Sequence, residues 1–81
     1  MSVTVSFYSY VKDLVGSAQT TESLPDGSTL NDLFKQLANR FPKLAALEKS
    51  LLLAVGLEYQ PRSYALKDGD EVSLFPPVQG G

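Results

Sequence analysis

The chain contains no cysteine and no histidine. Without thiols a disulfide scaffold is impossible, and zinc, iron–sulfur and thiolate sites are effectively excluded together with any thiol nucleophile. Without imidazole, histidine-based acid–base catalysis is excluded. Long apolar runs are missing too, so no transmembrane helix is expected. Met1-Ser2-Val3-Thr4 leads straight into a strand-like pattern, with no basic region before an apolar one. No signal peptide is therefore expected, and the expected location is cytoplasmic. Basic residues are sparse and scattered, at positions 12, 35, 40, 43, 49, 62 and 67, and the net charge is −2. They form no stripe for phosphates, so nucleic acid is not an expected partner. Covalent chemistry is left to a hydroxyl, a lysine, a carboxylate or a chain end.

The 81 residues, 43% of them hydrophobic, suffice for one domain that must bury its apolar side chains efficiently. Val3, Val5 and Phe7 alternate, which predicts a strand over residues 3–8. Val11, Leu14 and Val15 recur at helical spacing before Gly16, predicting a short helix over 10–15. Residues 18–24 read as a second strand with a polar outer face, followed by a Pro25-Asp26-Gly27 turn. Ser28 or Thr29 then caps the principal helix, residues 29–41, with Asp32 near its positive end. Its stripe is Leu30, Leu33, Phe34, Leu37, Ala38 and Phe41, and Pro42 ends it. A further turn over 43–49 points Leu44 and Leu47 inward. Leu51 to Val55 reads as a strand apolar on both faces, and Gly56 turns the chain. Residues 57–66 are ambiguous, with a short strand near Glu58 to Gln60 that Pro61 cuts off. Lys67-Asp68-Gly69-Asp70 is a tight turn into the last strand, Glu71 to Phe75. The order predicts an α+β two-layer fold of the ubiquitin-like β-grasp type, a small mixed sheet with one main helix on one face.

Such a sheet leaves its other face open. Val72 and Leu74 share one side of the last strand, so Phe75 projects from the uncovered side or folds over the sheet edge into the core. Leucine or alanine from the Leu51–Val55 strand joins that open side in either parity. An apolar patch beside the tail is a sensible partner surface. The domain is expected over residues 1–75 and an extended tail over 76–81. Pro76-Pro77 keeps the exit stiff, and Val78, Gln79, Gly80 and Gly81 carry no charged side chain. Six residues at about 3.3 Å each span about 20 Å, enough to enter a deep pocket. Ordering them costs about 1–2 kcal/mol per residue, so a partner must contact the tail along its length. Two glycines leave a bare backbone strip that passes where side chains do not.

Other candidates are weaker. Asp68, Asp70 and Glu71 cluster as metal ligands do, but one acidic turn without a further ligand reads as a solvated hairpin, and no metal is expected. Lys12 and Asp13 read as polar surface. Tyr8, Tyr10, Tyr59 and Tyr64 have no activating base. Gly16, Gly56 and Gly69 are too dispersed to cradle phosphate.

The segment Leu66-Lys67-Asp68-Gly69-Asp70-Glu71-Val72-Ser73-Leu74-Phe75-Pro76-Pro77-Val78-Gln79-Gly80-Gly81 resembles the C-terminal signature of the molybdopterin synthase small subunits, the sulfur-carrier MoaD family. Phe7-Tyr8 followed by Val11-Lys12-Asp13-Leu14-Val15-Gly16 is also similar, so the resemblance covers nearly the whole chain. One departure is Gly56, where the family usually has asparagine; both tolerate positive φ, so the turn is expected to survive without the asparagine side chain. The resemblance implies a carrier that is not catalytic alone and holds no permanent cofactor. A ubiquitin-activating-like adenylyltransferase would use ATP on the Gly81 carboxylate, and a sulfur donor would convert it to a thiocarboxylate. Pro77, Val78, Gln79, Gly80 and Gly81 would insert into the large synthase subunit, with Phe75 and Pro76 at the interface. Sulfur would pass to a cyclic pyranopterin precursor in molybdenum cofactor biosynthesis, within a heterotetramer. The alternatives are a sulfur carrier for thiamine or tRNA thiolation, a ubiquitin-like protein modifier joined through Gly81 to lysines, and an interaction module whose tail is incidental.

Overall fold

Val3, Val5 and Phe7 alternate with Ser2, Thr4 and Ser6 in β1 (Ser2–Phe7), and all three apolar residues are buried. A computed structural model describes residues 1–77 of the chain; Val78, Gln79, Gly80 and Gly81 lie outside the described residues. After β1 come α1 (Tyr10–Val15), β2 (Gln19–Ser23), α2 (Leu30–Arg40), a 3₁₀ helix (Pro42–Leu47), β3 (Leu52–Val55), β4 (Glu58–Tyr59) and β5 (Glu71–Phe75). The sheet order is β2-β1-β5-β3-β4, with β1 and β5 parallel and the other neighbours antiparallel. A mixed five-stranded sheet under one main helix is the expected β-grasp arrangement.

The apolar stripe of α2 drives the packing. Leu30, Leu33, Phe34 and Leu37 are buried against Val3, Val5, Leu53, Val72 and Leu74 from the sheet. At about 1.5–3 kcal/mol per fully buried large apolar side chain, this layer is the main source of stability. Val11 of α1 and Leu44 of the 3₁₀ helix complete the core on the same side, and Phe7 meets Phe41 edge-on at 6.0 Å. Leu14 departs from its expected inward place and stays half-exposed.

Thr29 and Asp32 close a capping box at the start of α2. The Asp32 carboxylate accepts from the Thr29 amide (2.9 Å) and from Thr29 Oγ1 (3.1 Å), and Thr29 Oγ1 accepts from the Asp32 amide (3.2 Å). The Thr29 backbone bond, then its hydroxyl, hold the Asp32 carboxyl below the usual carboxylate range, with Lys35 adding to the effect. Because the folded-state value is the lower one, the contribution is fully present above about pH 4 and is lost as pH falls through the folded value. The gap in urea midpoint between the parent and Asp32→Asn is therefore expected to be widest near neutrality and to close on acidification. A gap that does not change with pH would refute the assignment.

The ambiguous 57–66 segment serves the same helix end. Tyr64 O accepts from Leu30 N (3.0 Å) and Arg62 O from Asn31 N (2.9 Å), while Leu66 N donates to Ser28 O (2.9 Å). Two orphan amides of the first helical turn are thus satisfied by backbone far along the chain. The Arg62 guanidinium lies 4.6 Å over the Phe34 ring and donates to Glu48 O, which ties the segment down.

The polar outer face expected of β2 is present in exposed Gln19, Thr21 and Ser23, but the inner face also holds a charged residue, Glu22, which is 2% exposed. Glu22 stands opposite Val3 and therefore faces the helix layer. Its carboxylate accepts from Thr20 Oγ1 (3.2 Å), Gln36 Nε2 (2.9 Å) and the Arg40 guanidinium. A buried charge survives there because every bond to it is charge-assisted and one partner is a cation. On the outer edge of β2, Ser17 Oγ bonds both Gln19 O (2.9 Å) and Gln19 N (3.4 Å), and Gln36 Nε2 donates to Ser23 O (3.1 Å). These side chains occupy backbone groups that another strand would otherwise pair with.

Candidate functional site

The face of the sheet away from α2 carries Ser2, Thr4 and Ser6 of β1, Gln19, Thr21 and Ser23 of β2, and Glu71, Ser73 and Phe75 of β5. Leu52 and Ala54 of β3 and Tyr59 of β4 complete it. Among these strand positions only Glu71 is charged, and it lies at the start of β5, away from Phe75. The half around β1 and β2 is lined by hydroxyls; the half around β3 and β4 is apolar and aromatic.

Phe75 is the centre of the apolar half. It is half-buried, stands outside the core cluster and pairs with Leu52 across the ladder. The open-face placement expected from its parity is the one observed. Tyr8 stacks on it with ring centroids 4.8 Å apart and planes 11° apart. Tyr59 meets it edge-on at 6.3 Å and 75°. Each such contact is worth roughly 0.5–1.5 kcal/mol beyond the area it buries. Tyr8 and Tyr59 remain 45% and 66% exposed, so the cluster offers an aromatic surface rather than a closed core. Drying this patch costs little, because it holds no charge that must lose water.

Pro76 and Pro77 continue from Phe75 and are half-buried. The expected insertion residues Val78, Gln79 and Gly80 and the expected sulfur-carrying Gly81 lie outside the described residues. The structure thus places Phe75, Pro76 and Pro77 together at the aromatic end of the open face.

The weaker candidates resolve into local roles. The Asp68 carboxylate accepts from Ser2 N and the Asp70 carboxylate from Lys67 N, both at 2.8 Å, so these acids hold the turn before β5. No group of three or more His, Cys, Asp or Glu suited to a metal ion occurs among the described residues. Lys12 and Asp13 are exposed on α1, Tyr10 is exposed, and Tyr64 packs on the core. Gly56 has φ +61° in the two-residue link between β3 and β4, as expected of a residue replacing asparagine there.

Sequence reasoning missed Tyr8 and Tyr59 as members of the patch. Extending the alternation of β1 by one residue assigns Tyr8 to the open face, and the β3–β4 register sets Tyr59 opposite Ala54. It also missed Ser9, which has positive φ without being glycine.

The ThiS family model matches residues 5–81. The molybdopterin synthase sulfur carrier subunit of Chlamydomonas reinhardtii is 35% identical, with all of both chains covered. The Escherichia coli protein of the same name is 37% identical over 98% of this chain and 99% of its own. Among solved structures, the HVO 2177 protein of Haloferax volcanii superposes with a TM-score of 0.87 at 25% identity, covering 100% of this chain and 87% of that one. Subunits 1 and 2 of the Helicobacter pylori molybdopterin-converting factor were solved as a complex, in which a chain matching this one over its full length has a TM-score of 0.71 at 24% identity. No helix among the described residues is long and apolar enough to cross a membrane.

Proposed function

This chain belongs to the ThiS family, and from that premise we propose that it is the sulfur-carrier subunit of a molybdopterin synthase. The observation that carries the reading is the full-length match to relatives bearing that name, at 35% and 37% identity. The residue inventory supports it. A chain without cysteine or histidine has no thiol to carry sulfur and no imidazole to move protons, which fits a carrier whose sulfur rides on the Gly81 carboxylate.

In this reading the Gly81 carboxylate attacks the α-phosphate of ATP on a ubiquitin-activating-like adenylyltransferase, and pyrophosphate leaves. A sulfur donor then displaces AMP, and the chain carries a thiocarboxylate. Pro77 to Gly81 enter the large synthase subunit, where sulfur passes to the cyclic pyranopterin precursor. The carrier is not catalytic alone; acids and bases come from the large subunit. Phe75 and Pro76, with Tyr8 and Tyr59 around them, form the docking patch at the tail root. The domain spans 1–75, the tail 76–81, and the place of action is the cytoplasm.

Intact-mass measurement on protein isolated from its native host tests this directly. The expected species is heavier than the unmodified chain by the difference between one sulfur and one oxygen, with the change mapped to Gly81. Unmodified protein alone, with Gly81 found in isopeptide linkage to lysines, would sink the carrier reading in favour of a protein modifier.

A further inference from the structure

Ser9 is the one non-glycine residue with positive φ among the described residues, at φ 56° and ψ −139°. These angles are those of the first central residue of a type II′ turn, a position that glycine, asparagine and aspartate dominate. The turn runs from Tyr8 to Val11 and closes through Val11 N to Tyr8 O at 3.2 Å. The Ser9 side chain is exposed and makes no capping bond to α1, so its own hydroxyl does nothing to offset the strain. Strain of this kind persists only where the surroundings over-determine it.

The surroundings here are the residue before it. Tyr8 extends the β1–β5 ladder one step past β1, its amide donating to Leu74 O at 3.2 Å, and its ring lies flat on Phe75. Holding Tyr8 in the ladder while the next residues turn into α1 requires the reversal that Ser9 makes. Phe75 is in turn the covalent neighbour of Pro76, so the stacked rings lie at the root of the chain leaving the sheet.

We propose that Ser9 is a positioning residue: its strained turn seats the Tyr8 ring on Phe75 and so sets the shape of the aromatic docking surface beside Pro76-Pro77. The consequence for sulfur delivery rests on the carrier reading above; the seating of the two rings does not.

The test is a double-mutant cycle on the full-length chain: parent, Ser9→Val, Tyr8→Ala and the double variant. Two quantities are read: the chemical shifts of the Phe75 ring protons, and kcat and KM for the thiocarboxylated carrier with the large subunit. Valine is β-branched and disfavours positive φ. Ser9→Val is expected to abolish the ring-current shift of Phe75 and to raise KM about fivefold with kcat changed less than about twofold. In the Tyr8→Ala background the same substitution is expected to change KM less than about twofold, because the ring through which Ser9 acts is gone. Equal effects in both backgrounds, or an unchanged Phe75 shift in Ser9→Val, overturn the proposal. Should Ser9→Val fail to fold, Ser9→Gly decides, since glycine adopts this turn freely. It is expected to keep the Phe75 shift and to unfold at a higher temperature, and loss of the shift or a lower midpoint overturns the proposal. If the parent itself transfers no sulfur, the carrier reading fails while the ring shifts still decide the role of Ser9.

Discussion

A chain lacking Gly81 is expected to fold as the parent does and to deliver no sulfur. The buried core is complete at Leu74, and the aromatic cluster outside it ends at Phe75, so the described fold draws on nothing beyond the prolines. The thermal midpoint is therefore expected to stay where it is. The chemistry is a different matter. Removing Gly81, or adding one residue after it, moves the reactive carboxylate by about 3.3–3.6 Å along an extended tail. A displacement of even 1 Å from a productive geometry can lower a rate by about 100-fold. An added residue other than glycine also brings a Cβ into a passage suited to bare backbone. Both variants are expected to lose at least that factor in molybdopterin formation with the large subunit and activating enzyme supplied. Wild-type product formation by either would remove Gly81 from the mechanism.

Phe75→Asp is expected to weaken binding to the large subunit by about 30-fold or more, since a desolvated aromatic at an interface centre is worth roughly 2 kcal/mol or more. The substitution loses that contact and also requires a carboxylate to be dried against Leu52, Tyr8 and Tyr59. The fold itself loses little, because Phe75 is half-exposed and outside the core; the stack with Tyr8 is worth about 0.5–1.5 kcal/mol. Calorimetric titration beside a thermal melt separates the two effects. Unchanged affinity in a folded variant would exclude Phe75 from the interface.

Much of the fold was legible because it follows local periodicity. The alternation in β1, the i, i+3, i+4 stripe of α2 and the parity of β5 each specify which side chains face inward, and they do. The side of Phe75 followed from that parity alone. What stayed illegible depends on residues distant in sequence. Glu22 looked like one more polar residue in a Thr- and Ser-rich strand, and its burial is decided by Gln36 and Arg40 arriving from α2. Residues 57–66 have no period of their own, since their order comes from carbonyls that cap α2. Tyr8 and Tyr59 joined the candidate site only once the register brought both beside Phe75. Ser9 has no compositional signal, because serine is an ordinary residue held in an unusual conformation.

The place of β5 in the sheet bears on how the molecule is made. It lies between β1 and β3, pairing Thr4 with Glu71 on one side and Leu53 with Leu74 on the other. The centre of the sheet is thus the last strand to be synthesised, and its parallel partner is the first. Such non-local pairing is slow, because a long loop must close before any contact rewards it. On the ribosome, β1, β2 and α2 wait with their apolar faces without the strand that joins them to β3. A chain ended before β5 lacks both the central strand and everything that follows it. The translation order therefore brings the central strand and the Pro76-Pro77 segment after it into being at the same late stage, when β1 and β3 are already waiting to pair.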